Sequence, residues 1–114
     1  MPIINPHEYY VYILTNATRK VLYTGVTNNL CQRLTEHYLN RGTNNSFAGK
    51  YFSYWLVYFE DFQYINDAIA REKEIKNMLR RKKEDLINEF KPTWECLKKS
   101  VCDQWPPPQD AQRR

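Results

Sequence analysis

Cysteine is scarce in this chain and poorly arranged for stapling it. Three occur among 114 residues, Cys31, Cys96 and Cys102, and no two stand at Cys-x-x-Cys spacing. An odd count without a close pair argues against a disulfide scaffold and against a structural zinc site. The compartment read from this is a reducing one. Long apolar runs are missing too: none approaches the ~20 residues of a membrane span. The opening string Met1-Pro2-Ile3-Ile4-Asn5-Pro6 has no charged stretch followed by an apolar one, so no secretory signal is read there. The expectation is a cytoplasmic protein without a membrane partner. Internal repeats are absent as well.

Aromatic residues and cations are what the chain does have. Phe, Trp and Tyr make up 15% of it, and nine of them are tyrosines. Tyrosine packs as an apolar ring but needs a partner for its hydroxyl when buried. The formal net charge is +4 and the pI about 9.0. Lys and Arg are concentrated toward the C-terminal half, with Arg80-Arg81-Lys82-Lys83 the densest run. A local basic cluster on a moderately basic domain fits a polyanion such as DNA or RNA. It also fits a solvated helix end, where cations offset the negative pole.

The length suits one domain. Residues 9–15 are aromatic, β-branched and unbroken, which predicts a buried strand. Asn16 to Lys20 supply turn chemistry, and residues 21–26 form a second strand with Gly25 near its end. Glycine in a strand marks close approach of a ligand or another backbone. Asn29 with Gln32 predicts a capped helix with Leu30, Leu34 and Tyr38 as its buried stripe and Arg33 and His37 on one flank. That helix ends before Gly42, a loop covers 42–49, and a third strand covers 52–60. A second helix runs from an Asn66 cap to about Arg81, and a third covers 83–90, ended by Pro92. The order strand, strand, helix, strand, helix, helix describes an α+β domain: a small three-stranded antiparallel or mixed sheet flanked by helices. It occupies residues 9–95, between an N-terminal extension (1–8) and a C-terminal tail (96–114) read as disordered.

Two strings carry most of the functional information, Tyr10-Val11-Tyr12 and Tyr23-Thr24-Gly25. Their separation lets them lie side by side in a hairpin with both phenols facing one place. On the second helix, Glu72 falls in the same sector as Ala68, Ile75 and Leu79. An inward carboxylate costs several kcal/mol unless it is paired or binds a metal. Both readings, an ion pair and a Mg²⁺ ligand, stay open at this point. Two phenols, a guanidinium, an imidazole and one acid are a kit for cutting phosphodiesters.

These residues resemble the GIY-YIG nuclease superfamily. Tyr10-Val11-Tyr12 is similar to its first tripeptide without the initial glycine, and Tyr23-Thr24-Gly25 to its second with threonine for isoleucine. The string from Val26 to His37 resembles the family's approach to its arginine and histidine, and Ala70 to Lys76 the stretch around its glutamate. The resemblance covers about residues 8–95 and is nearest the small stand-alone UPF0213-type branch, related to the nuclease domain found at the N-terminus of an excinuclease. It implies a metal-dependent endonuclease hydrolysing DNA, in repair or recombination, with Mg²⁺ or Mn²⁺ as cofactor. By the same resemblance Glu72 holds the metal, Arg33 clamps the scissile phosphate, and Tyr12 and Tyr23 contact the water. One phenol serves as base if its pKa is depressed, and His37 orients the phosphate or relays a proton. Gly25, Thr27, Lys50, Lys76, Arg80 and Lys91 are the candidate nucleic-acid contacts. One departure is Lys91 in the string Lys91-Pro92-Thr93-Trp94, where the family has asparagine; Asn88 is a candidate substitute. The alternatives are a catalytically weak nucleic-acid-binding module on the same fold and a protein-interaction domain. Branched or structured DNA is the expected substrate, with a protein partner for targeting.

Overall fold

The β-branched and aromatic run at residues 9–15 becomes the central strand of the sheet. In this computed structural model, residues 8–43, 53–97 and 102 are described. The elements are β1 (Tyr9–Thr15), β2 (Leu22–Thr27), α1 (Leu30–Leu39), β3 (Trp55–Phe62), α2 (Ile65–Lys76) and α3 (Arg80–Phe90). The sheet order is β2-β1-β3, with both pairings antiparallel. The expected α+β architecture and element order are therefore present. A register shift between Ile13 and Leu14 interrupts the β1–β3 pairing.

Alternation along β1 divides the core in two. Val11 and Ile13 join Val57, Ala68, Ile75, Ile87 and Trp94 under α2 and α3. Tyr12 and Leu14 join Leu30, Leu34, Leu56, Leu97 and Cys102 on the α1 side. The fold thus has helices over both faces of a very narrow sheet.

The helices depart from expectation in instructive ways. The N-cap of α2 is Tyr64, with no side-chain cap, and Asn66 lies inside the first turn. The helix stops at Lys76, capped by Asn77, rather than running to Arg81. The third helix starts at Arg80, after an extended Leu79. The break turns α3 back over β3, so that Ile87 and Leu86 reach the core. A continuous helix would carry them past a three-stranded sheet. Leu79, expected in the buried sector, is consequently 78% exposed. On α1 the buried stripe is Leu30, Leu34 and His37, not Tyr38.

Two positions of the expected tail are part of the body. Leu97 is buried, and its N–H donates to the Leu56 carbonyl at 2.8 Å. Cys102 is buried and bonded to Cys31 as a disulfide, correcting the reading against disulfides drawn from the odd count; Cys96 is free. The sequence separation of 71 hides this pair from any local spacing rule, while the fold brings the two Cα atoms to 5.2 Å. Closing a loop of that length is worth about 4 kcal/mol in the chain-entropy account. Thiol titration of the unreduced, denatured protein should find one reactive cysteine. Three would show that the bond does not form.

Candidate active site

Pairing of β1 with β2 sets Tyr12 directly opposite Gly25 and Leu14 opposite Tyr23. Opposed residues share a face, so both phenols stand on the α1 side. Their ring centroids are 6.4 Å apart. A Cβ at Gly25 would lie 2.6 Å from Tyr12 Cζ and 3.1 Å from Cε2. The close approach expected at this glycine is thus made by a phenol, and Gly25 itself is buried beneath it.

Helix α1 supplies the second wall. The Asn29 side chain accepts from the Gln32 N–H at 3.1 Å, and Thr27 Oγ1 accepts from the Asn29 N–H at 3.1 Å. Thr27, a candidate nucleic-acid contact, is thereby a partner in starting the helix. With the helix so phased, His37 faces the sheet two turns on. Its Nε2 lies 3.1 Å from the Tyr12 hydroxyl, and its ring is 5.3 Å from that of Tyr23. His37 is therefore inside the core rather than on a flank. Arg33 remains half-exposed and pairs with Glu36 at 3.6 Å.

Helix α2 supplies the acid. Glu72 is only 13% exposed at its side chain and pairs with Lys76 Nζ at 2.7 Å. Its neighbour Arg71 turns away to Glu60 and Glu74, each at 2.9 Å. So the inward carboxylate foreseen on α2 is partnered, and by a lysine one turn later. Lys76, read as a nucleic-acid contact, is in this structure the counter-ion of Glu72.

Electrostatics link the three walls. Burial raises the Tyr12 phenol above its ordinary value, reinforced by the adjacent Tyr23 and by the charges of Glu36 and Glu72, and opposed by Arg33. Tyr12 therefore stays protonated, contrary to the depressed phenol that a base requires. Burial lowers the His37 imidazole to about 4, with Arg33 adding to the effect. The hydrogen bond to Glu72 raises Lys76, partly offset by burial, with the charge of Glu72 and the nearby Tyr23 adding to the rise. Tyr23, Arg33, His37 and Glu72 thus all act on Tyr12. Glu36 belongs with them, and its i+3 spacing from Arg33 was the available signal.

A neutral buried histidine makes stability depend on pH. Its folded value of about 4 lies below the ordinary 6.5. Between these, the unfolded chain binds a proton that the folded chain refuses, so stability falls as pH drops from 6.5 toward 4. From pH 7 to 5 the loss assigned to His37 is about 2 kcal/mol. Denaturant unfolding of the protein and of His37→Gln at both pH values checks this: the variant should lose less. Equal losses would remove His37 as the cause.

The remaining candidates lie elsewhere. Arg80 donates to the Arg19 and Lys20 carbonyls and pairs with Glu84. Lys91 pairs with Glu95 at 2.9 Å. Asn88, the candidate substitute for the family asparagine, instead accepts from Trp94 Nε1 at 2.6 Å. Lys50 lies outside the described residues.

Among the described residues no three His, Cys, Asp or Glu side chains gather as a metal-binding set. One largely buried carboxylate beside phenols does fit a hard cation whose other ligands are water and phosphate oxygens. In that case Lys76 must yield Glu72.

Comparison with known proteins gives a family match. A model described as the GIY-YIG catalytic domain matches residues 8–85. A UPF0213 protein of Natronomonas pharaonis is 38% identical over 80 residues, 70% of this chain and 91% of its own length. One from Clostridium perfringens is 40% identical over 79 residues, 69% of this chain and 82% of its own. A third, from Bacillus velezensis, is 31% identical over 93 residues, 82% of this chain and 89% of its own. No solved structure matches.

Proposed function

The chain belongs to the GIY-YIG family, and from that premise we propose that it is a divalent-metal-dependent endonuclease that hydrolyses DNA phosphodiester bonds. Structured DNA of the kind met in repair and recombination is the proposed substrate. The observation that carries this reading is the Tyr12–His37 hydrogen bond beside Tyr23, with Arg33 and Glu72 both acting on the Tyr12 phenol.

Each side chain has a role that its surroundings allow. Arg33 is half-exposed and, among the described residues, paired with Glu36, so it can turn to a phosphate with charge-assisted donors. Tyr12 stays protonated and is fixed by His37. His37, neutral and buried, holds that phenol in place rather than carrying charge. Tyr23 is half-buried beside His37 and is the phenol assigned to the attacking water. Glu72 would hold Mg²⁺ or Mn²⁺, which when bound supplies Lewis-acid stabilisation of the leaving oxygen.

The Glu72–Lys76 pair also favours a second reading, a nucleic-acid-binding module in which the lysine replaces the metal. A panel of single-stranded, duplex, flap and branched DNA, with Mg²⁺, with Mn²⁺ and with chelator, separates the two. Metal-dependent cleavage of any member supports the nuclease. Binding without cleavage on every member would establish the module instead.

A further inference from the structure

We propose that Lys20, Arg81 and Lys82 form a phosphate-binding surface that carries the DNA backbone away from the active site, past the β1–β2 turn. The proposal rests on the nuclease reading and extends it to a part of the molecule outside the Tyr12–Glu72 cluster.

Two stretches of chain lead from that cluster to the same place. Going back along the chain from Tyr23, Lys20 is three residues away, at most about 11 Å. Going forward from Lys76, the counter-ion of Glu72, the cationic run starts four residues on at Arg80. The two stretches meet where Arg80 donates to the Arg19 and Lys20 carbonyls. Arg80 therefore acts as a rivet and not as a phosphate ligand. Its remaining charge is matched by Glu84 at 3.0 Å.

The turn is held firmly. Arg19 and Trp94 both take left-handed backbone angles, φ 60° and 57°, which cost energy for residues other than glycine. They lie against each other: the Arg19 guanidinium is 5.5 Å from the Trp94 ring centroid and donates to the Thr93 carbonyl at 3.0 Å. Lys20 is thus presented from a fixed support.

Lys20, Arg81 and Lys82 are exposed, and among the described residues none of them forms an ion pair. The first turn of α3 holds no acidic residue. Like charges gathered at the positive end of a helix repel one another and the helix dipole. A polyanion removes that repulsion. The fit is to a nucleic-acid backbone in particular, because Arg80 ties the start of α3 to the turn that leads into β2 and Tyr23. At one phosphate per ~3.4 Å of axis on each strand, the reach of at most ~11 Å to Lys20 spans no more than about three phosphates.

The test uses the full chain, a labelled branched DNA and a titration of salt. Wild type is compared with Lys20→Ala/Arg81→Ala/Lys82→Ala, and with Lys82→Glu alone in case the triple variant melts early. The expected result is a loss of affinity of at least tenfold at low salt for the triple variant. Its salt slope should be shallower by roughly 3, near 0.9 for each phosphate contact removed. Cleavage at saturating DNA should be unchanged. Wild-type affinity and slope in both variants would overturn the surface, even where wild type cleaves. A wild type that cuts nothing while the slope still falls would sink the nuclease reading and leave the surface standing. An unchanged affinity with a lowered maximal cleavage rate would also overturn it, by placing these cations in the chemistry.

Discussion

Glu72→Gln is expected to lower DNA cleavage by on the order of 10²–10³-fold, with the fold intact and DNA affinity equal or higher. Glutamine keeps the shape and one carbonyl oxygen but loses the charge that makes the site attractive to a hard cation. Folding should tolerate the change, because Lys76, the partner left behind, is 55% exposed at its side chain and can be solvated. Removing one negative charge does not oppose the approach of a phosphate. The measurement is single-turnover cleavage and equilibrium binding on the same DNA, with Tm as the control. Cleavage at the wild-type rate would remove Glu72 from the metal site and with it the proposed mechanism.

Gly25→Ala carries the second large effect. In an ordinary strand this change is mildly favourable, since alanine loses less conformational freedom on folding than glycine does. Here the added carbon would sit 2.6 Å from Tyr12 Cζ. Tyr12 is 1% exposed, so its ring has little room to yield without disturbing the core on the α1 side. The expected cost is about 1–3 kcal/mol of stability. The Tyr12–His37 hydrogen bond should be lost and cleavage should fall by on the order of 10²-fold. Thermal unfolding gives the first number and the cleavage rate the second. Tyr12→Phe keeps the ring packing but leaves buried His37 Nε2 without its partner, so it should cost about 1–3 kcal/mol while losing most of the activity. A Gly25→Ala protein with unchanged Tm and rate would show that the strands separate enough to admit a methyl group.

Several features could be read from residues alone because local physics controls them. Strand β1 follows from an unbroken aromatic and β-branched run. The start of α1 follows from Asn29, whose side chain caps the Gln32 N–H as the pattern suggested. The inward direction of Glu72 follows from helical spacing, which does not depend on what the helix packs against. The grouping of Tyr12 with Tyr23 follows from a short hairpin.

Other features depend on contacts between distant segments. The break at Asn77 exists because a narrow sheet leaves nothing for a longer helix to cover. Which residue of α1 turns inward depends on its angle to the sheet, so His37 is buried where Tyr38 was expected. The Glu72–Lys76 pair is an exception, since its i,i+4 spacing is local. Asn88 was drawn to Trp94, whose left-handed backbone brings the indole N–H within reach.

The sequence by itself determined the family, the order of strands and helices, and the five side chains proposed for the site. Those depend on residue type and short-range spacing. Only the tertiary structure decided their protonation, their partners and the Cys31–Cys102 link. Burial sets the first, packing geometry the second, and the approach of segments 71 residues apart the third.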